Sequence, residues 1–197
     1  PAATERGILL TNTPDAPTES TAEHAVALLM AVAKRVMVGD RQMRGDDSLV
    51  RADMIGTELL NSKLGVLGYG RIGRRVCEIC ALGLKMQVSC YDPFVDQNME
   101  TPEGVTLVDD MDAMLAESTF VTVHVPLMPE TRHYMGEREM RLMPKGSYLI
   151  NASRGPVVDE KALIKILQEG DHFAAVGLDV TDPEPPAPDN PLLSMKN

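Results

Sequence analysis

From Lys63 onward, short and continuously apolar runs alternate with amphipathic stretches, and this alternation constrains the fold more than any other feature. The apolar runs are KLGVL from 63, QVSCYDP (87–93), VTLV (105–108), TFVTVHVP (119–126), GSYLINAS (146–153) and FAAVGLDV (173–180). They are apolar at successive positions, not alternate ones, so each is expected to be a strand buried on both faces. Helical stretches intervene: RIGRRVCEICALG with Gly83 as its expected C-cap, a short helix over 109–117, and a capped helix in DEKALIKILQEG (159–170). Strands of this kind alternating with helices predict an α/β fold, a doubly wound parallel sheet covered on both sides.

The region before Lys63 reads differently. ILLT (8–11) is a short extended run. Ser20-Thr21-Ala22-Glu23 has capping-box spacing. The helix it opens stays apolar almost without a break to Val38, so it is expected to be covered on most sides, and it frays through 40–47. The predicted organisation is one domain over 1–197: a long helix over 20–45, a core over 63–180, and a rigid Pro-rich loop over 181–197.

A net charge of −10 argues against a nucleic-acid or anionic-membrane surface, whose phosphates need clustered Lys and Arg. The longest apolar run, AVALLMAVA (25–33), is too short to span a bilayer, and no signal peptide is visible. Cys77, Cys80 and Cys90 make no disulfide framework, which fits a reducing, cytoplasmic setting. Cys77 and Cys80 have C-x-x-C spacing. They lie in a helical pattern with no second cysteine or histidine pair, so they are read as packing thiols and no metal site is expected.

Gly68-Tyr69-Gly70-Arg71-Ile72-Gly73 is G-x-G-x-x-G, following a strand and opening a helix. Asp92 ends the next strand, 92 − 68 = 24 positions on. The glycines allow a tight turn and a close approach of backbone to a pyrophosphate at the helix N-terminus, and the aspartate accepts from ribose hydroxyls. This is a Rossmann-type fingerprint. The Asp92 charge disfavours a 2′-phosphate, and its neighbours Pro93 and Phe94 offer no compensating arginine, so NAD is expected over NADP.

With these motifs the sequence resembles the NAD-dependent D-isomer-specific 2-hydroxyacid dehydrogenases. The resemblance runs from TNTPDAPTESTAEHAVALLMAVAKR through LGYGRIG, HVPLMPETRHYMG and LINASRGPVVDEKAL to GLDVTDPEPPAPDNPLL. Within the family it is most like glyoxylate/hydroxypyruvate reductases, with phosphoglycerate dehydrogenases next. The resemblance implies hydride transfer between NADH and a small 2-oxo or 2-hydroxy acid. It places the family's substrate-gripping arginine on Arg154 and its histidine-pairing acid on Glu184. Asp179 falls beside the nicotinamide carboxamide. His124, Val125 and Pro126 form the loop passing the cofactor, and Thr131 with the Ala152–Ser153 backbone lines the dinucleotide.

Taken alone, His124 suits packing or a hydrogen bond better than proton transfer, and Asp179 is a charge that needs a partner at the end of an apolar strand. The family's general-acid histidine stands in a T-P-H motif. None of His24, His124, His133 and His172 does, and none follows Glu184. The sequence is therefore expected to be the nucleotide-binding domain, without its smaller substrate domain and inactive by itself. Two other classes stay open: a non-enzymatic NAD-sensing module resembling the corepressors of this fold, and a dimerisation unit built on the helix from Ser20, with a homodimer as the expected assembly.

Overall fold

The computed structural model describes residues 2–45 and 50–196. Residues 46–49, the end of the predicted helix and loop, lie outside the described residues, as do Pro1 and Asn197.

All six apolar runs become strands: β1 (Lys63–Leu67), β2 (Gln87–Tyr91), β3 (Val105–Val108), β4 (Phe120–Val123), β5 (Ser147–Asn151) and β6 (Phe173–Leu178). Every pairing is parallel, in the order β3-β2-β1-β4-β5-β6. β2, β4, β5 and β6 stop two or three residues before their apolar runs do. The residues beyond, such as Asp92, His124 and Ala152, form the loops at one edge of the sheet.

After a short N-terminal turn of helix, α1 (Ala2–Glu5), helices cover both faces of the sheet. On one, α2 (Thr18–Ala33) packs against α4 (Arg71–Glu78), β5 and β6. Its core holds Ala22, Ala25, Leu29, Val66, Val76, Cys77, Cys80, Cys90 and Phe120. Phe120 stacks on Tyr148 with ring centroids 4.6 Å apart. On the other, α5 (Met111–Glu117), α6 (Glu137–Leu142) and α7 (Glu160–Glu169) enclose Leu67, Val121, Val123, Leu149, Leu163 and Ile166. The doubly wound class is as expected, and α6 was not anticipated. Burial pushes the Cys80 thiol up to about 12, as befits a packing cysteine.

The long helix over 20–45 is corrected. It is two helices, α2 and α3 (Val36–Arg44), broken at Lys34–Arg35, with Arg35 left-handed at φ 52°. Neither Gly nor Pro marks the break. The chain at 53–57 makes it: the Thr57 N–H donates to the Ala33 carbonyl at 2.8 Å, Lys34 Nζ donates to the Thr57 carbonyl at 3.0 Å, and Arg35 Nη1 donates to the Asp53 carbonyl at 2.9 Å. Gly56 sits so close that a Cβ there would meet the Ala33 carbonyl oxygen at 2.6 Å.

The capping box is corrected too. The helix starts earlier, at Thr18 after Pro17, and Ser20 Oγ donates to the Pro17 carbonyl. Within this chain α2 buries one face, through Ala22, Ala25, Val26, Leu29 and Ala33, and leaves Met30 exposed. Gly83 is not the C-cap: α4 runs into a π-turn over Ile79–Gly83, and the left-handed residue is Lys85. The extended run at 8–11 joins no sheet, and Leu9 is 89% exposed. Among the described residues no helix is long and apolar enough to cross a membrane.

Candidate functional site

Five strand ends converge on one edge. Backbone bonds tie neighbouring exits together: Gly68 N–H to the Tyr91 carbonyl (2.9 Å), His124 N–H to the Leu67 carbonyl (2.8 Å) and Asp179 N–H to the Asn151 carbonyl (3.0 Å). The chain leaves β1 toward β2 on one side, while β4 lies on the other. This is the topological switch point, where ligands bind in such sheets.

The three fingerprint glycines have separate jobs. Gly68 has φ +97°, and a Cβ there would press on the His124 carbonyl and on Val125 Cγ1 at 3.0 to 3.1 Å. Gly73 is buried, and a Cβ there would collide with the Gly68 carbonyl oxygen. Both glycines permit internal packing. Gly70 is exposed and a Cβ there would meet nothing within 4 Å. The open space lies at the N-terminus of α4, whose first N–H groups have no intrahelical acceptor. A pyrophosphate fits that setting.

Asp92 holds the turn. Its Oδ2 accepts from the Tyr69 N–H and its Oδ1 from the Phe94 N–H, both at 2.9 Å. Each oxygen keeps a lone pair for a ribose hydroxyl. The Tyr69 side chain is buried, so only its backbone belongs to the site, and Ile72 packs on the core. Arg71 is paired with Asp15 at 2.7 Å, and Pro93 is exposed. Arg74, which sequence reading passed over, reaches the same turn. Its Nε donates to the Tyr69 carbonyl at 2.9 Å and its guanidinium lies over the Tyr69 ring, leaving it no ion pair with Asp92.

His124 retains an exposed edge, yet it is enclosed enough that burial lowers its pKa to about 4, leaving a neutral imidazole whose Nε2 is 3.0 Å from Thr122 Oγ1. The folded state prefers the neutral ring, so the unfolded chain binds the extra proton. This contribution to stability is full above about pH 6.5 and is lost as the pH falls toward about 4. His124→Gln is expected to flatten the fall in melting temperature over that window; an unchanged slope would remove His124 as its source.

Thr131 is buried and its hydroxyl is used within its own loop, donating to the Pro126 carbonyl and accepting from the Met128 N–H at 2.8 Å. It shapes the 126–131 turn from inside. Val125 packs on the core and Pro126 is exposed.

At the end of β5, buried Asn151 organises the loop that carries Arg154. Its Nδ2 donates to the Arg154 carbonyl at 3.0 Å, and its Oδ1 accepts from Ser153 N–H at 3.0 Å and Ser153 Oγ at 2.8 Å. Ala152 is buried beside it. Arg154 is exposed. One guanidinium nitrogen donates to the Ser153 carbonyl at 2.7 Å, and among the described residues the side chain makes no ion pair. Gly155 brings this loop against the next, since a Cβ there would collide with the Thr181 carbonyl.

The 181–191 loop is anchored by residues outside the motif. Glu160 Oε2 accepts from the Asp182 N–H and Oε1 from Asn190 Nδ2, both at 2.8 Å, and Arg132 pairs with Asp182 at 3.3 Å. Glu184 is exposed on this loop and has no hydrogen bond or ion pair among the described residues. Asp179 has found a partner in His24, with Nε2 to Oδ1 at 3.0 Å. Asn151, Glu160 and His24 were missed as site residues. Asn151 alone left a signal, as the first letter of N-x-x-R-G. A cavity of about 750 Å³ bounded by β2, β3 and α5 includes none of the predicted site residues.

A switch-point edge with a fingerprint turn, an open helix N-terminus and a carboxylate at the end of the second strand is the architecture of a dinucleotide-binding domain. The sequence profile described as D-isomer specific 2-hydroxyacid dehydrogenase, NAD binding domain, matches residues 26–197, and the chain belongs to that family. It is 45% identical over 198 residues to a glyoxylate reductase of Korarchaeum cryptofilum, covering 99% of this chain and 59% of the relative. It is 43% identical over 196 residues to a D-3-phosphoglycerate dehydrogenase of Archaeoglobus fulgidus, covering 100% and 36%. Among solved structures, a D-lactate dehydrogenase of Aquifex aeolicus complexed with NAD and lactic acid superposes with a TM-score of 0.81 at 34% identity, covering 98% of this chain and 61% of that one. The chain thus spans roughly a third to three fifths of the length of these relatives.

Proposed function

We propose that residues 1–197 form the nucleotide-binding domain of a dehydrogenase that passes a hydride between NADH and a small 2-oxo or D-2-hydroxy acid. NADH bound along the switch-point edge supplies the hydride. Gly70 admits the pyrophosphate, Asp92 takes the adenosine ribose, and Asp179 takes the nicotinamide carboxamide. Arg154 grips the substrate carboxylate through its planar fork and polarises the adjacent carbonyl. Glu184 stands ready to hydrogen-bond a proton-donating histidine supplied from outside these residues and to keep it charged. Neutral His124 serves the loop and not the proton.

The observation that carries this reading is Arg154. An exposed guanidinium with no carboxylate partner among the described residues stands on a loop that Asn151 braces and Gly155 locks against the Glu184 loop. That arrangement favours an enzyme over a cofactor sensor. The relatives divide between glyoxylate and 3-phosphoglycerate at nearly equal identity, so the substrate class is a small 2-oxo acid, with glyoxylate or hydroxypyruvate preferred on GLDVTDPEP. The exposed Met30 face of α2 and the exposed Met37 and Met43 of α3 suit a homodimer contact, and the free buried thiols suit the cytoplasm.

The cofactor half is tested by calorimetric titration. NADH is expected to bind more tightly than NADPH, because the Asp92 carboxylate repels a 2′-phosphate and Arg74 is already engaged. Asp92→Ala should narrow the gap. Equal affinities for the unsubstituted chain would sink the role given to Asp92.

A further inference from the structure

The His24–Asp179 contact joins residues 155 positions apart in the sequence. Asp179 is the first residue beyond β6, and its N–H is fixed on the Asn151 carbonyl at 3.0 Å. His24 is on α2, between buried Ala22 and Ala25. The two elements touch just before this point: a Cβ on Gly177 would lie 3.4 Å from Val32 Cγ1 and 3.5 Å from Leu28 Cβ. Helix and strand therefore set both ends of the contact.

His24 Nε2 lies 3.0 Å from Asp179 Oδ1. A carboxylate only accepts, so Nε2 carries the proton. The contact engages one carboxylate oxygen. Asp179 Oδ2 has no hydrogen-bond partner among the described residues.

We propose that His24 is a positioning residue for the nicotinamide end of the site: it holds Asp179 by Oδ1 and leaves Oδ2 to accept from the carboxamide N–H of the bound dinucleotide. This rests on the role given to Asp179 above and extends it to a helix outside the nucleotide fingerprint. The pair is half exposed, with side chains 50% and 46% accessible, so its value to stability is small. Its value is orientational. A free Asp179 samples several rotamers, and the carboxamide then meets a correctly aimed oxygen only part of the time.

The test titrates the 197-residue chain with NADH and with ADP-ribose, which keeps the adenosine, both phosphates and the second ribose but lacks nicotinamide. His24→Ala is expected to weaken NADH about three- to fivefold, the scale of a half-exposed hydrogen bond, and to leave ADP-ribose unchanged. The ADP-ribose arm doubles as the control for folding. His24→Gln, which restores an N–H at similar reach, is expected to recover NADH affinity. Equal weakening of both ligands would make His24 merely structural and overturn the proposal. So would unchanged NADH affinity in His24→Ala while Asp179→Ala weakens it. If Asp179→Ala itself left NADH affinity intact, the role of Asp179 would fall first, and this proposal with it.

Discussion

Arg154→Lys, assayed in the proposed dehydrogenase with a substrate domain supplied, is expected to lose about 10²-fold or more in kcat/KM while binding NADH almost as before, a transition-state penalty of roughly 3 kcal/mol. Lysine keeps the charge and discards the geometry. A guanidinium presents parallel N–H groups to a carboxylate and still reaches the neighbouring carbonyl, whereas an ammonium is a point donor that serves one or the other. Negative charge grows on the carbonyl oxygen as hydride arrives, so the contact strengthens toward the transition state, and the loss should appear in kcat as well as in KM. The Asn151 bonds that brace this loop reach the Arg154 carbonyl and Ser153, not the guanidinium, so the substitution leaves the loop standing. Near-normal kcat/KM in Arg154→Lys would return Arg154 to the status of a surface turn residue.

The second large effect separates two glycines of one motif. At Gly73 an added methyl runs into the Gly68 carbonyl oxygen, which is backbone and cannot swing aside. Gly73→Ala is expected to cost about 1 to 3 kcal/mol of stability, the usual range for overpacking, and to lower the melting temperature accordingly. At Gly70 nothing lies within 4 Å, and φ −73° with ψ −167° is open to any residue. Gly70→Val should therefore melt close to the unsubstituted chain, yet fill the space assigned to the pyrophosphate and reduce NADH affinity by about tenfold or more. The reverse ranking, with Gly70→Val unstable and Gly73→Ala harmless, would mean that the turn is packed differently.

The strands, the helices α4, α5 and α7 and the fingerprint turn were legible in the sequence because each is written in local chemistry. Continuous apolar runs specify doubly covered strands, and G-x-G-x-x-G between strand and helix specifies a turn that admits no side chain at Gly68 or Gly73. Asp159 accepting from the Ala162 N–H, with left-handed Gly170 closing α7, was visible for the same reason. What could not be read is what distant segments impose. The break at Lys34–Arg35 is made by the Thr57 N–H and the close backbone of Gly56, twenty and more positions away, against a locally unbroken apolar pattern. Ser20 and Glu23 have capping-box spacing, but Pro17 offers an earlier start and Ser20 Oγ turns to its carbonyl. The site divides in the same way. Gly70, Asp92 and Arg154 announce themselves by motif. The partners that hold the loops, His24 on Asp179 and Glu160 on Asp182 and Asn190, are long-range contacts with no local signature.

The open backbone at Gly70, beside Asp92, is the proposed seat of the dinucleotide. Its most direct test is a calorimetric titration of NADH into the unsubstituted chain and into Gly70→Val, with melting curves of both. The predicted result is one NADH site in the unsubstituted chain and a loss of affinity of about tenfold or more in a variant that melts normally. Equal NADH affinity in the two proteins, or no NADH binding by the folded unsubstituted chain, would contradict it.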